Sequence, residues 1–216
     1  MTSPTDDQPD ASSATDGGSG DLYAIVLAAG ASARFGSPKQ LARVDGRPLL
    51  HVVVSRVVEV VGHAVTVVLG ANAAELIPML KHTSASVVIN REWREGIASS
   101  IRAGLARLPG VCEGVMLVLA DQAAVTADDL RRLVTAWRSQ PLYTAAAQYG
   151  ATTGAPAIFP RTRFSELAAL RGDRGAQRLV TSVPDRLIRV RMERAAIDID
   201  TPEDLEAFTS GGRPPQ

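Results

Sequence analysis

The sequence lacks three features that mark common classes of protein. Its only cysteine is Cys112, which excludes an internal disulfide framework and a cysteine-rich metal cluster and fits a reducing compartment. Lys and Arg together number 23, as do Asp and Glu, so no net charge attracts nucleic acid. The longest apolar stretch, residues 52–69, is interrupted by polar and charged residues and cannot span a bilayer. With no signal-like segment either, we expect a cytoplasmic protein that binds neither nucleic acid nor membrane.

Several motifs of known chemistry are also missing. The sequence contains no GxxxxGK[ST], and Gly30 and Gly36 do not form GxGxxG, which argues against a P-loop kinase and a dinucleotide oxidoreductase. The second predicted strand ends in LGAN, without the acidic residue that holds a ribose in dinucleotide sites. The three histidines do not cluster with acidic residues and no GxSxG is present, so zinc and serine-hydrolase chemistry are not expected.

Short apolar runs alternate with segments of helical length. Runs at residues 22–27, 64–69, 86–89 and 115–120 are typical of strands that are buried on both faces of a parallel sheet. Weaker runs at 142–148, 157–159 and 186–191 suggest further strands, with an antiparallel excursion. Together they predict a Rossmann-like, doubly wound α/β domain with a mostly parallel sheet and helices on both faces. We expect this single domain to span residues 21–209, between a disordered tail at 1–20 and a second tail at 210–216.

Two amphipathic helices and two helix starts are visible in the pattern. The first helix follows the spacing of Ile97, Ile101, Leu105 and Leu108, and the second helix repeats it from Leu130 to Trp137. Capping boxes are predicted where an acidic residue follows a threonine by three positions. The two pairs are Thr126 with Asp129 and Thr201 with Asp204.

The loop that leaves the first strand is the best candidate for binding an anion. Residues 27–39 read LAAGASARFGSPK, and their small side chains let backbone amides approach a ligand closely. Arg34 and Lys39 add positive charge suited to a triphosphate. A plain strand-to-helix connection with two solvated basic residues is the alternative.

Two later segments end in carboxylates. Asp121 follows the strand at 115–120, at the edge of the sheet where α/β proteins bind ligands, and one such Asp with a triphosphate suffices for Mg²⁺. Asp198 and Asp200 lie on one side of an extended stretch before a helix, and we prefer Asp200 as the second metal ligand. Asp121 could instead bond local backbone in a turn, and Asp200 could simply complement the helix dipole.

A fourth segment places small polar residues at a helix start. Gly96, Ser99 and Ser100 open the first amphipathic helix, where hydroxyls and free amides could contact a base or a phosphate. Simple capping of the helix is the alternative for each serine.

Seven segments occur in an order that resembles the MobA-like nucleotidyltransferases, and within them the molybdenum-cofactor cytidylyltransferase branch. They are LAAGASARFGSPKQL, GRPLL, NREWREGIASSIRAGL, VLADQ, GAPAIF, LRGDRGA and DIDTPEDL. The resemblance covers almost all of residues 22–208. It implies a fold of the nucleotide-diphospho-sugar transferase type, which binds CTP or GTP with Mg²⁺ and joins the nucleoside monophosphate to a phosphorylated pterin, releasing pyrophosphate.

The resemblance also assigns roles by position. The residues expected to bind the nucleotide are Leu27, Ala28, Ala29, Gly30, Arg34, Lys39, Gly96, Ser99 and Ser100. Arg34, Lys39 and Asp121 are the expected catalytic residues: Arg34 and Lys39 neutralise charge on the triphosphate and the leaving pyrophosphate, and Asp121 holds the metal. Asp121 and Asp200 are the expected Mg²⁺ ligands.

The cytidylyltransferase branch is favoured over the guanylyltransferase branch by LAAG…KQL and by GIASS. The sequence departs from that branch at Ala123, where a proline is usual, and at Ala155, where a histidine commonly precedes Pro156. The second departure leaves other small phosphate acceptors open, among them a sugar phosphate. A molybdoenzyme or its chaperone is a candidate partner. A non-catalytic protein that delivers the cofactor and, more remotely, a redox enzyme remain as other hypotheses.

Overall fold

The computed structural model describes residues 21–210. The predicted tails therefore lie outside the described residues, apart from Ser210, and the domain boundaries stay a prediction. The strands are β1 (Asp21–Ala28), β2 (Arg43–Val44), β3 (Arg47–Pro48), β4 (Val65–Leu69), β5 (Ser86–Ile89), β6 (Cys112–Leu119), β7 (Thr144–Tyr149), β8 (Thr152–Pro160) and β9 (Leu187–Arg191). The α-helices are α1 (Leu49–Val61), α2 (Ala73–Leu76), α3 (Ile97–Leu105), α4 (Ala127–Ser139), α5 (Phe164–Ala168), α6 (Gln177–Thr181) and α7 (Pro202–Thr209).

Seven of these strands form one sheet in the order β5-β4-β1-β6-β8-β7-β9. The pairs β5-β4, β4-β1, β1-β6 and β7-β9 are parallel. β8 runs antiparallel to both of its neighbours, β6 and β7. The mostly parallel sheet and its antiparallel excursion are thus confirmed, and among the seven strands of this sheet in residues 21–210 only β8 is reversed.

The sheet is buried because helices cover both of its faces. On one face, Ala24 and Val26 of β1 belong to a core that includes residues of α1 and α4. On the other face, Ile25 and Leu27 join a core with residues of α3, α5 and α6. Alternate side chains of a strand point to opposite faces, so a strand covered on both sides needs the unbroken apolar run that β1 shows. The doubly wound α/β prediction is confirmed.

The predicted helix starts are confirmed as well. Thr126 accepts from the Asp129 amide at the start of α4 and Thr201 from the Asp204 amide at the start of α7, each with the reciprocal bond of a capping box. α3 ends at Leu105, short of the predicted position Leu108. Pro109 follows Leu108, and a residue that precedes proline is disfavoured in helical conformation.

No helix in the described part of the chain is both long and apolar enough to cross a membrane.

Candidate active site

A cavity of about 770 Å³ opens where β1 and β6 reach the carboxyl edge of the sheet. Open α/β sheets bind their ligands at this edge. The predicted site residues that line the cavity are Leu27, Ala28, Ala29, Gly30, Arg34, Lys39, Gly96, Ser100, Asp121 and Asp200. Ser99 is the predicted site residue that is not part of the lining.

A buried glutamine shapes the loop after β1. The Gln40 side chain is 2% exposed, and its amide donates to the carbonyl oxygens of Ala28 at 3.3 Å and Gly30 at 3.2 Å. Its own oxygen accepts from the Ser32 hydroxyl at 3.1 Å. These bonds satisfy backbone carbonyls that the turn leaves free, so Gln40 holds the loop around the cavity.

Charged side chains from three distant segments meet in the cavity. The ammonium of Lys39 lies 2.8 Å from Asp121 Oδ2 and 2.7 Å from Asp200 Oδ1. Arg34 Nη2 lies 2.6 Å from the other oxygen of Asp200. Burial alone would lower the pKa of Lys39, but the two carboxylates outweigh it and raise that pKa. Burial likewise opposes ionisation of Asp200, yet Lys39 and Arg34 hold the pKa of Asp200 below its usual value.

The backbone places Asp200 beside Asp121. The Ile199 amide donates to the Asp121 carbonyl at 3.1 Å, which brings the segment before α7 against the end of β6. The amide of Asp200 then donates to the Asp204 carboxylate at 3.1 Å. The capping box of α7 therefore also fixes the position of Asp200.

Asp198 is the third carboxylate in this region. Burial of its carboxyl group, followed by repulsion from Asp121 and Asp200, raises the pKa of Asp198 to about 6. As a whole residue Asp198 is exposed, and it does not line the cavity. Asp200, which forms both ion pairs, is the better placed of the two candidate metal ligands.

The carboxylates suit a divalent cation that shares its ligands with a substrate. Asp121 Oδ1 is buried and has no hydrogen-bond partner among residues 21–210, so one hard oxygen is left for a cation. In the same residues no group of three His, Cys, Asp or Glu side chains forms a complete metal site. Mg²⁺-type cations commonly take one or two carboxylates and complete their shell with water and phosphate oxygens.

A neutral network supports the start of α3. Asn90 is buried, and its side-chain amide donates to Ser99 Oγ at 2.8 Å and to Ser100 Oγ at 3.0 Å. The Ser99 hydroxyl donates to the carbonyls of Glu92 and Gly96, so it holds the helix start instead of facing the cavity. The prediction did not include Asn90, whose role depends on contacts across the turn between β5 and α3.

An aromatic side chain lines the same part of the cavity. Trp93 lies beside Gly70, where a Cβ atom would come within 2.6 Å of the Trp93 Cβ. The Arg94 guanidinium stacks over the Trp93 ring, 4.4 Å from its centre. The cavity thus has a cationic end at Arg34 and Lys39 and an aromatic wall at the start of α3.

The chain matches a known protein family and two known proteins over most of its length. A family model described as the MobA-like NTP transferase domain matches residues 24–188. The chain is 28% identical over 193 residues to nicotine blue oxidoreductase of Paenarthrobacter nicotinovorans, covering 84% of this chain and 93% of that protein. It is 29% identical over 199 residues to the purine catabolism protein PucB of Bacillus subtilis (strain 168), covering 86% and 94%.

The fold is shared with a protein of known structure at similar identity. The crystal structure of Rv0371c from Mycobacterium tuberculosis H37Rv superposes with a TM-score of 0.76 at 28% identity, covering 88% of this chain and 98% of that chain. A complex of the same protein with manganese gives a TM-score of 0.74 at 26% identity, with the same coverage.

Proposed function

The chain belongs to the MobA-like NTP transferase family and is a nucleotidyltransferase, and we propose that it is a Mg²⁺-dependent cytidylyltransferase that transfers CMP from CTP to the phosphate of a molybdopterin. An acceptor phosphate oxygen attacks the α-phosphorus, the bond to the β-phosphate oxygen breaks, and pyrophosphate leaves. The observation that carries the proposal is the meeting of Arg34 and Lys39 with Asp121 and Asp200 in one cavity.

The phosphates of CTP would lie at the cationic end of the cavity. The backbone from Leu27 to Gly30 would contact the nucleotide, and Gln40 keeps that backbone in place through its bonds to Ala28 and Gly30. Arg34 and Lys39 would neutralise the triphosphate and the charge that develops on the leaving pyrophosphate. Reactions of this kind depend on positioning and on fixed charge, and need no covalent bond to the protein.

Asp121 and Asp200 would hold the cation, which supplies further positive charge against the triphosphate. The manganese complex of Rv0371c supports a divalent cation in a protein of this fold. Lys39 already bonds one oxygen of each carboxylate, so the ammonium and a cation compete for the same groups. A triphosphate relieves this competition because it offers Lys39 other anionic oxygens.

The choice of CTP and of a pterin rests on the sequence resemblance. At the departure position Ala155, the carbonyl accepts from the Gln122 side chain at 3.2 Å, next to Asp121. The side chain there is only a methyl group, where a histidine is common in the branch. Another small phosphorylated acceptor is therefore the principal alternative.

Calorimetric titration and a pyrophosphate-release assay test this proposal. We expect CTP to bind with Mg²⁺ more tightly than GTP, ATP or UTP, and pyrophosphate to appear when molybdenum-loaded pterin is added. Asp121→Asn should lower pyrophosphate release about a hundredfold, because the cation that stabilises the transferring phosphoryl group loses a charged ligand. Asp128→Asn, an exposed residue of α4, is the matched control. Absence of both nucleotide binding and turnover would refute the proposal, whereas binding that survives Asp121→Asn without wild-type turnover would indicate a delivery protein.

A redox activity is a second candidate, favoured by the name of the Paenarthrobacter relative. Titration with NADH, NADPH and flavins distinguishes the two functions. Saturable binding of one of them, together with no binding of any nucleoside triphosphate, would favour the redox function.

A further inference from the structure

The loop from Leu170 to Asp173 is fastened to the start of α3. The Arg102 guanidinium donates to the Leu170 carbonyl at 2.8 Å and also pairs with Glu95. The Ala98 amide donates to the Gly172 carbonyl at 3.1 Å, and the Gly172 amide donates to Glu95 at 3.4 Å. Bonds from both sides thus hold this loop against the helix that borders the cavity.

The contact is close enough to require glycine at position 96. Gly96 has φ of 114°, a region that favours glycine, and a Cβ atom there would lie 2.3 Å from Asp173 Oδ1 and 2.5 Å from the Gly172 carbonyl carbon. The missing side chain lets the loop press onto the helix start, and this places Asp173 in the wall of the cavity.

Asp173 is exposed, and within the described residues 21–210 its carboxylate has no hydrogen-bond or ion-pair partner. None of the side-chain hydrogen bonds or ion pairs within residues 21–210 involves it, although its neighbours Gly172 and Leu170 are both bonded. An ionised carboxylate is a pure hydrogen-bond acceptor. Asp173 lies on a loop held against the start of α3 and lines the cavity, so its carboxylate is accessible to a hydrogen-bond donor of a bound ligand.

The surroundings of Asp173 indicate which part of a nucleotide would reach it. Trp93 and Ile97 line the same wall and present aromatic and apolar surface, with the Arg94 guanidinium stacked on Trp93. The loop after β1 supplies the cations Arg34 and Lys39 at the other end. A nucleoside triphosphate bound with its phosphates at the cations would direct its flat base toward the aromatic wall.

We propose that Asp173 accepts a hydrogen bond from the exocyclic amino group of the base and so makes the site select cytosine over uracil. Cytosine presents an amino group at the ring position where uracil presents a carbonyl oxygen, which a carboxylate repels. This inference rests on the proposed function, since it assumes a nucleoside triphosphate in the cavity. It adds a specificity-determining residue from the segment LRGDRGA, to which the resemblance assigns no role.

Calorimetry with CTP and UTP on the full chain tests the proposal. Asp173→Ala should weaken CTP binding roughly tenfold, because a hydrogen bond to a charged group is lost, and should tighten UTP binding, because the repulsion of the uracil carbonyl oxygen is removed. Asp173→Asn should tighten UTP binding, because its amide can donate to the uracil carbonyl. Asp185→Asn, an exposed residue outside the cavity, should change neither affinity.

The outcomes separate this inference from the proposed function. Equal weakening of CTP and UTP by Asp173→Ala would indicate contact with the ribose and overturn the inference, as would a wild-type protein that binds CTP and UTP equally. If the wild type binds GTP more tightly than CTP, the inference is overturned, because the site then does not select cytosine. If the wild type binds no nucleoside triphosphate, the proposed function itself fails. Melting temperatures of all variants show whether the fold is intact.

Discussion

The two ends of the cavity are built in different ways. At the cationic end, Lys39 forms ion pairs with Asp121 and Asp200. At the start of α3, Asn90 holds Ser99 and Ser100 through neutral, buried hydrogen bonds. An ion pair can exchange one partner for a phosphate or a cation, whereas a buried neutral network offers a ligand nothing to replace. The ion pairs at the cationic end can therefore rearrange when a ligand binds, whereas the network at the start of α3 is a fixed support.

The exposed fraction of each side chain indicates how much its ion pair contributes to the stability of the free protein. The Arg34 side chain is 74% exposed, so its pair with Asp200 contributes little to the stability of the free protein. Lys39 is only 13% exposed, and water and salt screen its two pairs less. Lys39 is thus the side chain whose exchange would change the site most. It is also one of only two lysines in the sequence, the other being Lys81.

Removing Asn90 would break the fixed support. In Asn90→Ala, the Ser99 and Ser100 hydroxyls lose a donor, and the Glu92 amide loses the acceptor that it bonds at 2.9 Å. Leaving buried polar groups unsatisfied should cost about 2 kcal/mol of unfolding free energy. For a domain of this size the melting temperature should fall by about 4–8 °C, measured by calorimetric scanning.

The matched control is Ser139→Ala, which removes an exposed hydroxyl bond at the end of α4. It should leave the melting temperature nearly unchanged. If Asn90→Ala has the same melting temperature as this control, the Asn90 network does not stabilise the start of α3.

Replacing Lys39 would leave Asp121 and Asp200, at the cationic end of the cavity, free to bind a cation. Lys39→Met removes the ammonium between Asp121 and Asp200 and keeps a side chain of similar length. Without nucleotide, Mn²⁺ affinity should rise roughly tenfold, or about 1.4 kcal/mol, because the competing charge is gone. CTP affinity should fall in the same variant. Spin-resonance measurement of free Mn²⁺ gives the first quantity and calorimetry the second.

Lys81→Met is the natural control, since Lys81 is exposed and does not line the cavity. It should alter neither affinity. A Lys39→Met protein that binds Mn²⁺ no better than the wild type would show that the ammonium and the cation do not compete for these carboxylates.

Much of the fold was predictable because burial on both faces leaves a simple pattern. Strands β1, β4, β5 and β6 coincide with apolar runs to within a few residues. β8 was predicted only at 157–159, although it extends over Thr152–Pro160. Its first residues are Thr, Thr and Gly, which carry no apolar signal, and its pairing with β7 holds them in the sheet. Local composition cannot report a strand that long-range pairing creates.

The charged residues of the site could be predicted from the sequence, whereas residues that reach the cavity through tertiary contacts could not. Arg34, Lys39 and Asp121 stand out in the sequence because basic side chains in a loop and an acid at a strand end suit a triphosphate. Ser99 and Ser100 looked equivalent, but neighbouring residues of a helix point roughly 100° apart, and only Ser100 lines the cavity. Asp173 reaches the cavity through a contact between distant glycines, which no local pattern encodes.

Asp198 and Asp200 lie near each other by the cationic end of the cavity but have pKa values shifted in opposite directions. The pKa of Asp198 is raised to about 6, so the folded protein disfavours its charge, while Asp200 has a lowered pKa and is stabilised as an anion. The two variants Asp198→Asn and Asp200→Asn should therefore have effects of opposite sign on stability in metal-free buffer. Because Asp198 is exposed, solvent screens its charge, and at pH 8 Asp198→Asn should raise the melting temperature by only about 1–2 °C.

The pH dependence of stability follows from the opposite directions in which the pKa values of Asp198 and Asp200 are shifted. Between its ordinary pKa and about 6, folded Asp198 holds a proton that the unfolded chain has released, so stability falls as pH rises through this window. The gain from Asp198→Asn should shrink as pH is lowered from 6 and vanish near the ordinary pKa of an aspartate. The contribution of Asp200 has the reverse sign, since it is present above the ordinary pKa and is lost as pH falls through the lowered one. Melting curves of both variants from pH 4 to pH 8 measure this, and two variants that shift in the same direction would contradict the assignment of Asp200, not Asp198, to the ion pairs with Lys39 and Arg34.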